Sequence, residues 1–107
     1  MGHEQLKGHL DLLLLAVLEG EPCHGYAVIS SLRQRSDGEF DLPEGTIYPA
    51  LHRLEKAGLI GSRWEASDGR RRRVYSLSGP GARTLQASRE EWERFATGMH
   101  AVVWGIA

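Results

Sequence analysis

One cysteine, Cys23, stands among the 107 residues, so no disulfide can close within the chain, and this usage suits a reducing compartment. Long apolar runs are missing too. The longest, Leu12 to Leu18, holds seven residues, far short of the roughly 20 that cross a bilayer, so no membrane role is expected. The chain opens without the basic-then-apolar pattern of a secretory leader, which makes the cytoplasm the expected location. Catalytic motifs are equally scarce: there is no Gly-rich phosphate loop, no nucleophile elbow and no carboxylate pair with a matching base. Only Cys23 beside His24 offers a nucleophile and a base. Sequence neighbours diverge at a helix start and no third group orients them, so no enzyme is expected. Repeats, low-complexity tracts and linkers are absent, and 41% hydrophobic with 25% charged content describes one ordinary domain.

Net charge of one sign is also lacking, since the total is −1. The distribution says more than the sum. Arg70, Arg71, Arg72 and Arg73 form a basic run, whereas Glu90, Glu91 and Glu93 cluster towards the C-terminus, so opposite ends carry opposite fields.

What is present is mostly helical periodicity. Leu6, Leu10, Leu13, Leu14, Val17 and Leu18 recur at helical spacing until Gly20 and Pro22 supply a stop. A second helix is predicted from about His24 to Ser36, with Tyr26, Ile29 and Leu32 on one side and the Asp37-Gly38 turn signal closing it. A third starts near Pro43, turns Ile47, Leu51 and Leu54 inward and ends at Gly58. Pro49 lies inside it and predicts a kinked or irregular first turn, eased because the carbonyl four residues back belongs to Gly45. Alternation in Ile60, Ser62, Trp64 and in Arg73, Tyr75, Leu77 around Ser67-Asp68-Gly69 predicts a β-hairpin. Ser78 then caps a last helix running from about Gly79 towards Trp104, with Pro80 in its first turn.

That last helix carries a seam. Leu85, Trp92, Met99 and Ile106 fall seven apart, with Phe95 and Val102 at the complementary offset and only Ser88 interrupting, as pairing with a second helix requires. The fold class is therefore mainly α with a β-hairpin wing: a winged helix-turn-helix over residues 1–78 and a C-terminal dimerisation helix over 79–107, forming one compact unit.

On the third helix Thr46, Tyr48, His52, Arg53 and Lys56 lie off the apolar stripe, where they either meet phosphates and base edges or form an ordinary solvated face. Four consecutive arginines on a strand point to both faces. They suit an anion, or they guard an edge strand against aggregation. Acting together in a wing, they give affinity across all sequences, while Tyr48 or His52 would alter preference between sequences.

Cys23-His24-Gly25-Tyr26 and the stretch Gly45-Thr46-Ile47-Tyr48-Pro49-Ala50-Leu51-His52-Arg53-Leu54-Glu55-Lys56-Ala57-Gly58-Leu59-Ile60 resemble the PadR family of bacterial transcriptional regulators. So do Tyr75-Ser76-Leu77-Ser78 and Gly81, and the resemblance spans nearly the whole chain. It implies that the third helix reads the major groove of double-stranded DNA, that the wing contacts the backbone, and that the last helix embraces helices one and four of a second protomer. Such homodimers bind inverted-repeat operators, because a two-fold protein meets a two-fold site. By the same resemblance the chain acts as a repressor of its own or neighbouring genes in the bacterial cytoplasm, associated with the nucleoid.

With one short C-terminal helix, the chain resembles the smaller branch of the family, which includes sensors of hydrophobic drugs and so a multidrug or stress response. Trp92 is then either a platform that stacks a planar hydrophobic effector between protomers or plain interface packing. No cofactor is required. A divalent metal is the other effector considered: with helix one against the partner's helix four, His3, Glu4 or His9 could approach His100 across the interface. A protein-binding adaptor without DNA is the remaining alternative.

Overall fold

The computed structural model describes Leu6 and residues 8–105. Four helices and three strands follow in the order α1 (Leu10–Gly20), β1 (Cys23–His24), α2 (Gly25–Arg35), α3 (Glu44–Lys56), β2 (Ile60–Ser67), β3 (Arg70–Leu77) and α4 (Gly79–Trp104). The predicted order of three helices, a hairpin and a helix is observed. β1 is an addition: Cys23 pairs with Tyr75 and His24 with Val74, making an antiparallel sheet in the order β1-β3-β2.

α1 starts four residues later than its apolar spacing predicts. Gly8 adopts φ +95°, a conformation that no helix contains, so Leu6 is cut off from the helix although its side chain remains in the core. From Leu10 on, Leu14, Leu15, Val17 and Leu18 are all buried. Neighbouring helical residues point about 100° apart, so this helix is covered on more than one side.

His24 caps α2, its Nδ1 accepting from the Ala27 amide at 3.3 Å. The buried side of α2 is Val28, Ile29 and Leu32, whereas Tyr26, predicted to face inward, is 60% exposed. Gly25 occupies the corresponding inward position, and the Tyr48 ring of α3 fills the space it leaves: a methyl group at position 25 would lie 2.6 Å from Tyr48 Cζ. Asp37 and Gly38, both at positive φ, end α2 as their turn signal predicts.

Pro43 stands at the N-cap of α3 rather than in its first helical position, and its carbonyl accepts from both Thr46 and Ile47 at 3.0 and 3.1 Å. The helix then runs unbroken through Pro49. Gly45, whose carbonyl loses a donor there, is exposed, so water can replace the missing N–H. Ile47, Leu51 and Leu54 are buried as predicted, joined by Ala50. At the other end Gly58 takes φ +80°, and the Leu59 amide donates back to the Leu54 carbonyl at 3.0 Å, the hydrogen bond of a Schellman stop.

The hairpin closes through Asp68 and Gly69, at φ +51° and +75°, and two consecutive positive-φ residues define the type I′ turn that Asp-Gly favours. Ser78 caps α4 by accepting from the Gly81 amide at 3.0 Å while its hydroxyl donates to the Gly58 carbonyl at 2.7 Å, which pins the start of α4 to the end of α3. Arg89 reaches α1 with two hydrogen bonds to the Glu19 carboxylate, at 2.9 and 2.7 Å. Pairing with Arg89 lowers the Glu19 pKa, so this tie is present at neutral pH and is lost as pH falls through the carboxylate range.

Beyond Phe95, α4 leaves the body. Its buried residues are Gly81 and Leu85 alone, and the molecule extends 56 Å along one axis against 28 and 21 Å along the others. Gly81 is required by close packing, because a Cβ there would overlap the Leu59 carbonyl and sit 2.9 Å from Leu77 Cδ1. Gly81→Ala is expected to destabilise the fold by about 1–3 kcal/mol, the usual cost of overpacking. Gly45→Ala, facing open space in α3, should instead stabilise by up to about 1 kcal/mol. Urea midpoints of the two variants check this, and an unchanged midpoint for Gly81→Ala would refute the packing account.

Candidate nucleic-acid interface

The amphipathic pattern of α3 fixes what it can present. With Ile47, Ala50, Leu51 and Leu54 turned inward, His52, Arg53 and Lys56 are exposed and Thr46 and Tyr48 are half-buried. Two of these five are engaged within the fold. Tyr48 packs its ring on Gly25, and Arg53 forms a bidentate ion pair with Asp11 of α1, at 2.8 and 2.9 Å. That pairing raises the Arg53 pKa further above its already high value. His52 and Lys56 remain open to solvent with no partner among the described residues.

Strand parity divides the four arginines. Arg71 and Arg73 share a face of the hairpin with Trp64 and, further in, with the buried Tyr75. Their guanidinium carbons lie 4.8 and 5.2 Å from the Trp64 ring centroid, within cation–π range, and Trp64 itself is 53% exposed. Arg73 is tied further: its Nε donates to Ser62 Oγ at 2.8 Å, and its Nη2 lies 3.5 Å from Glu55 of α3, to which the Ser62 hydroxyl also donates. Arg72 faces the other way, 3.2 Å from His24 Nε2, and Arg70 stands beside the turn with no partner among the described residues. Sequence reasoning named all four arginines but missed Trp64, Ser62 and Glu55. Alternation did place Ser62 and Trp64 on one face of β2, and that was the available signal.

Cys23 and His24 do not form a catalytic pair. Burial, with a smaller contribution from Glu21, pushes the Cys23 thiol pKa up, opposite to what an activated nucleophile needs. His24 is meanwhile occupied as a helix cap.

Along α4, the predicted seam divides in two. Leu85 is 1% exposed and belongs to the protomer's own core, so it has no surface left for a partner. Trp92, Phe95, Met99 and Val102 are exposed by 44, 53, 50 and 85%, and Val103 and Trp104 extend the apolar surface. Ile106 lies outside the described residues. His9 packs edge-on against Trp92 with centroids 5.0 Å apart, and Phe95 completes the cluster at 5.6 Å from Trp92. A cleft of about 430 Å³ between α1 and α4 is lined by His9, Asp11, Leu12, Trp92 and Phe95 among others. Of the residues considered for a metal, His3 and Glu4 lie outside the described residues. Among the described residues no three His, Cys, Asp or Glu side chains gather as a metal site, and His100 is exposed on α4. No described helix is long and apolar enough to cross a membrane.

Three helices, a wing and a basic outer face define the winged-helix class of transcriptional regulators. Solved structures with this architecture include a transcriptional regulator from Clostridium thermocellum, with a TM-score of 0.85 and 27% identity over 94% of this chain and 95% of that one. A PadR family transcription regulator from Clostridium difficile superposes with a TM-score of 0.80 and 35% identity, covering 89% of this chain and 98% of that one. The transcriptional regulator YqjI of Escherichia coli is 31% identical over 94% of this chain, which spans only 47% of that longer protein. Residues 14–87 match the transcriptional regulator PadR-like family, and the chain belongs to it. It is a transcriptional regulator and not an enzyme.

The raised Cys23 pKa gives a direct expectation. The rate of alkylation of the folded protein by iodoacetamide should rise with pH through a midpoint above the usual thiol value of about 8.5. Urea unfolding should bring that midpoint back down, and a folded-state midpoint at or below the free-thiol value would contradict burial as the controlling influence.

Proposed function

We propose that this regulator is a homodimeric repressor that binds an inverted-repeat operator through α3 and the wing and is released when a planar apolar molecule occupies the α4 interface. One observation carries the reading: α4 projects from the body with Trp92, Phe95, Met99 and Val102 exposed along a single stripe at heptad spacing. Such a stripe is costly in water and is covered economically by a second copy of itself. A two-fold pairing through α4 sets two copies of α3 at a fixed separation, which is what a two-fold DNA site requires. His52 and Lys56 of α3, together with the cationic wing, supply the groups that meet phosphates and base edges.

Release through Trp92 rests on chemistry. Indole presents a broad polarizable face, and Trp92 with its two-fold mate would bracket a flat aromatic ligand. The same side chains also suffice for packing two helices, so dye binding separates sensing from packing. Hoechst-type planar dyes are expected to quench tryptophan fluorescence in the wild type and much less in Trp92→Ala. Absence of quenching across a varied dye panel would leave Trp92 as an interface residue.

DNA binding is tested with the protein's own upstream promoter duplex and a scrambled duplex of equal length, at several salt concentrations. Preference for the promoter, with log affinity falling linearly against log salt, is the expected result. Light scattering should give twice the 11.9 kDa chain mass. A monomer by that measurement would remove the dimer. Equal, weak binding to both duplexes with little response to salt would favour a protein-binding adaptor.

A further inference from the structure

We propose that the four wing arginines are not equivalent: Arg73, locked to α3 through Glu55, Ser62 and Trp64, is a positioning residue that fixes the angle between wing and α3, while Arg70 and Arg72 make the phosphate contacts. The proposal rests on the DNA-binding reading given above and deepens it.

The tie is continuous from one DNA-facing element to the other. Glu55 lies on the last turns of α3 and is 27% exposed at its side chain. It accepts from the Ser62 hydroxyl of β2 and faces Arg73 Nη2 of β3 at 3.5 Å. The Ser62 oxygen in turn accepts from Arg73 Nε at 2.8 Å, so one hydroxyl serves helix and strand at once. Trp64, directly across the ladder from Arg73, closes the outer side, and its ring also lies under Arg71. A half-exposed indole with two guanidinium groups over its ring is a poor use of an apolar residue for folding. It is a good way to hold two long, flexible cations in one place.

A wing needs such a brace. A two-stranded ribbon projecting from its sheet has little rigidity of its own, and only β2 and β3 continue past the point where β1 ends. Base readout by α3 and backbone contact by the wing act on one duplex only if their offset is constant. Rocking of the ribbon would leave phosphate attraction intact and blur the register of α3. Arg73 is already matched to a carboxylate, so it contributes little to counterion release. Arg70, beside the turn with no described partner, and Arg72, beside an imidazole rather than an acid, retain their full charge for phosphates.

The test titrates promoter and scrambled duplexes with wild type and variants across salt. Arg70→Ala and Arg72→Ala are expected to reduce the log–log salt slope by about one each and to weaken both duplexes alike. Arg73→Ala, Glu55→Gln and Trp64→Ala are expected to keep the wild-type slope and to lose affinity mainly for the promoter, so that the ratio between duplexes falls. Trp64→Phe, which preserves a ring face, should recover most of that ratio. Thermal midpoints accompany each variant, and Glu55→Gln, nearly isosteric, serves if an Arg73 variant fails to fold. Equal slope losses for Arg70→Ala, Arg72→Ala and Arg73→Ala, or an unchanged promoter ratio in both Glu55→Gln and Trp64→Ala, would overturn the proposal while leaving DNA binding in place. Failure of the wild type to bind either duplex at low salt would remove the underlying reading and the proposal with it.

Discussion

Enclosure of α1 on more than one side is the constraint from which the rest of the architecture follows. Leu14 and Leu15 are adjacent, point about 100° apart, and are 0 and 1% exposed, so a single flat neighbour cannot cover the helix. α2 and α3 cover one side, and the root of the sheet with the first turns of α4 covers another. This arrangement commits the apolar stripe of α3 to the interior and leaves its other side open to solvent. It also buries Leu85 at the start of α4 and no residue beyond it: Trp92 and Phe95 still lean on His9, and the remainder of that helix stands free with its seam exposed.

Most of this was legible in the sequence because the signals are local. Gly58 and Asp68-Gly69 act through their own backbone angles, Ser78 through an amide three residues away, and the buried stripe of α3 through a period within one helix. The misses are cases where a partner distant in the chain decided the outcome. Tyr26 reads as an inward residue by spacing, yet Tyr48 from another helix takes the place over Gly25. β1 is two residues long and exists only because β3 offers its edge, so no alternation could announce it. Leu85 fits the heptad seam and the core equally well by position, and only the way α4 docks on α1 assigns it to the core.

The candidate interface was legible to a lesser degree for the same reason. Residue type identifies a cation, but its availability depends on whether an acid from elsewhere has reached it. Asp11 is 42 residues from Arg53 and Glu19 is 70 from Arg89, and each forms a two-pronged pair there. A single chain of text gives no sign of these matches.

Those matches bear on how a net charge of −1 coexists with the DNA-facing surface proposed above. Asp11 and Glu19 of α1 and Glu55 of α3 pair with Arg53, Arg89 and Arg73, so these acids neutralise cations that tie one element of the fold to another. Glu90, Glu91 and Glu93 sit on α4, away from the wing, whereas Asp68 stands at the hairpin turn. On the proposed DNA-facing side the balance stays positive on few residues: Lys56 on α3, and Arg70 to Arg72 on the hairpin against Asp68. Salt acts on both groups, because an exposed Asp11–Arg53 pair is screened much as a phosphate contact is. A salt slope measured for this protein therefore counts phosphate contacts minus any internal pair that must open to make them. An arginine that changes partners, from carboxylate to phosphate, leaves that count nearly unchanged even though it touches DNA, and only a cation that was unpaired beforehand adds a full unit.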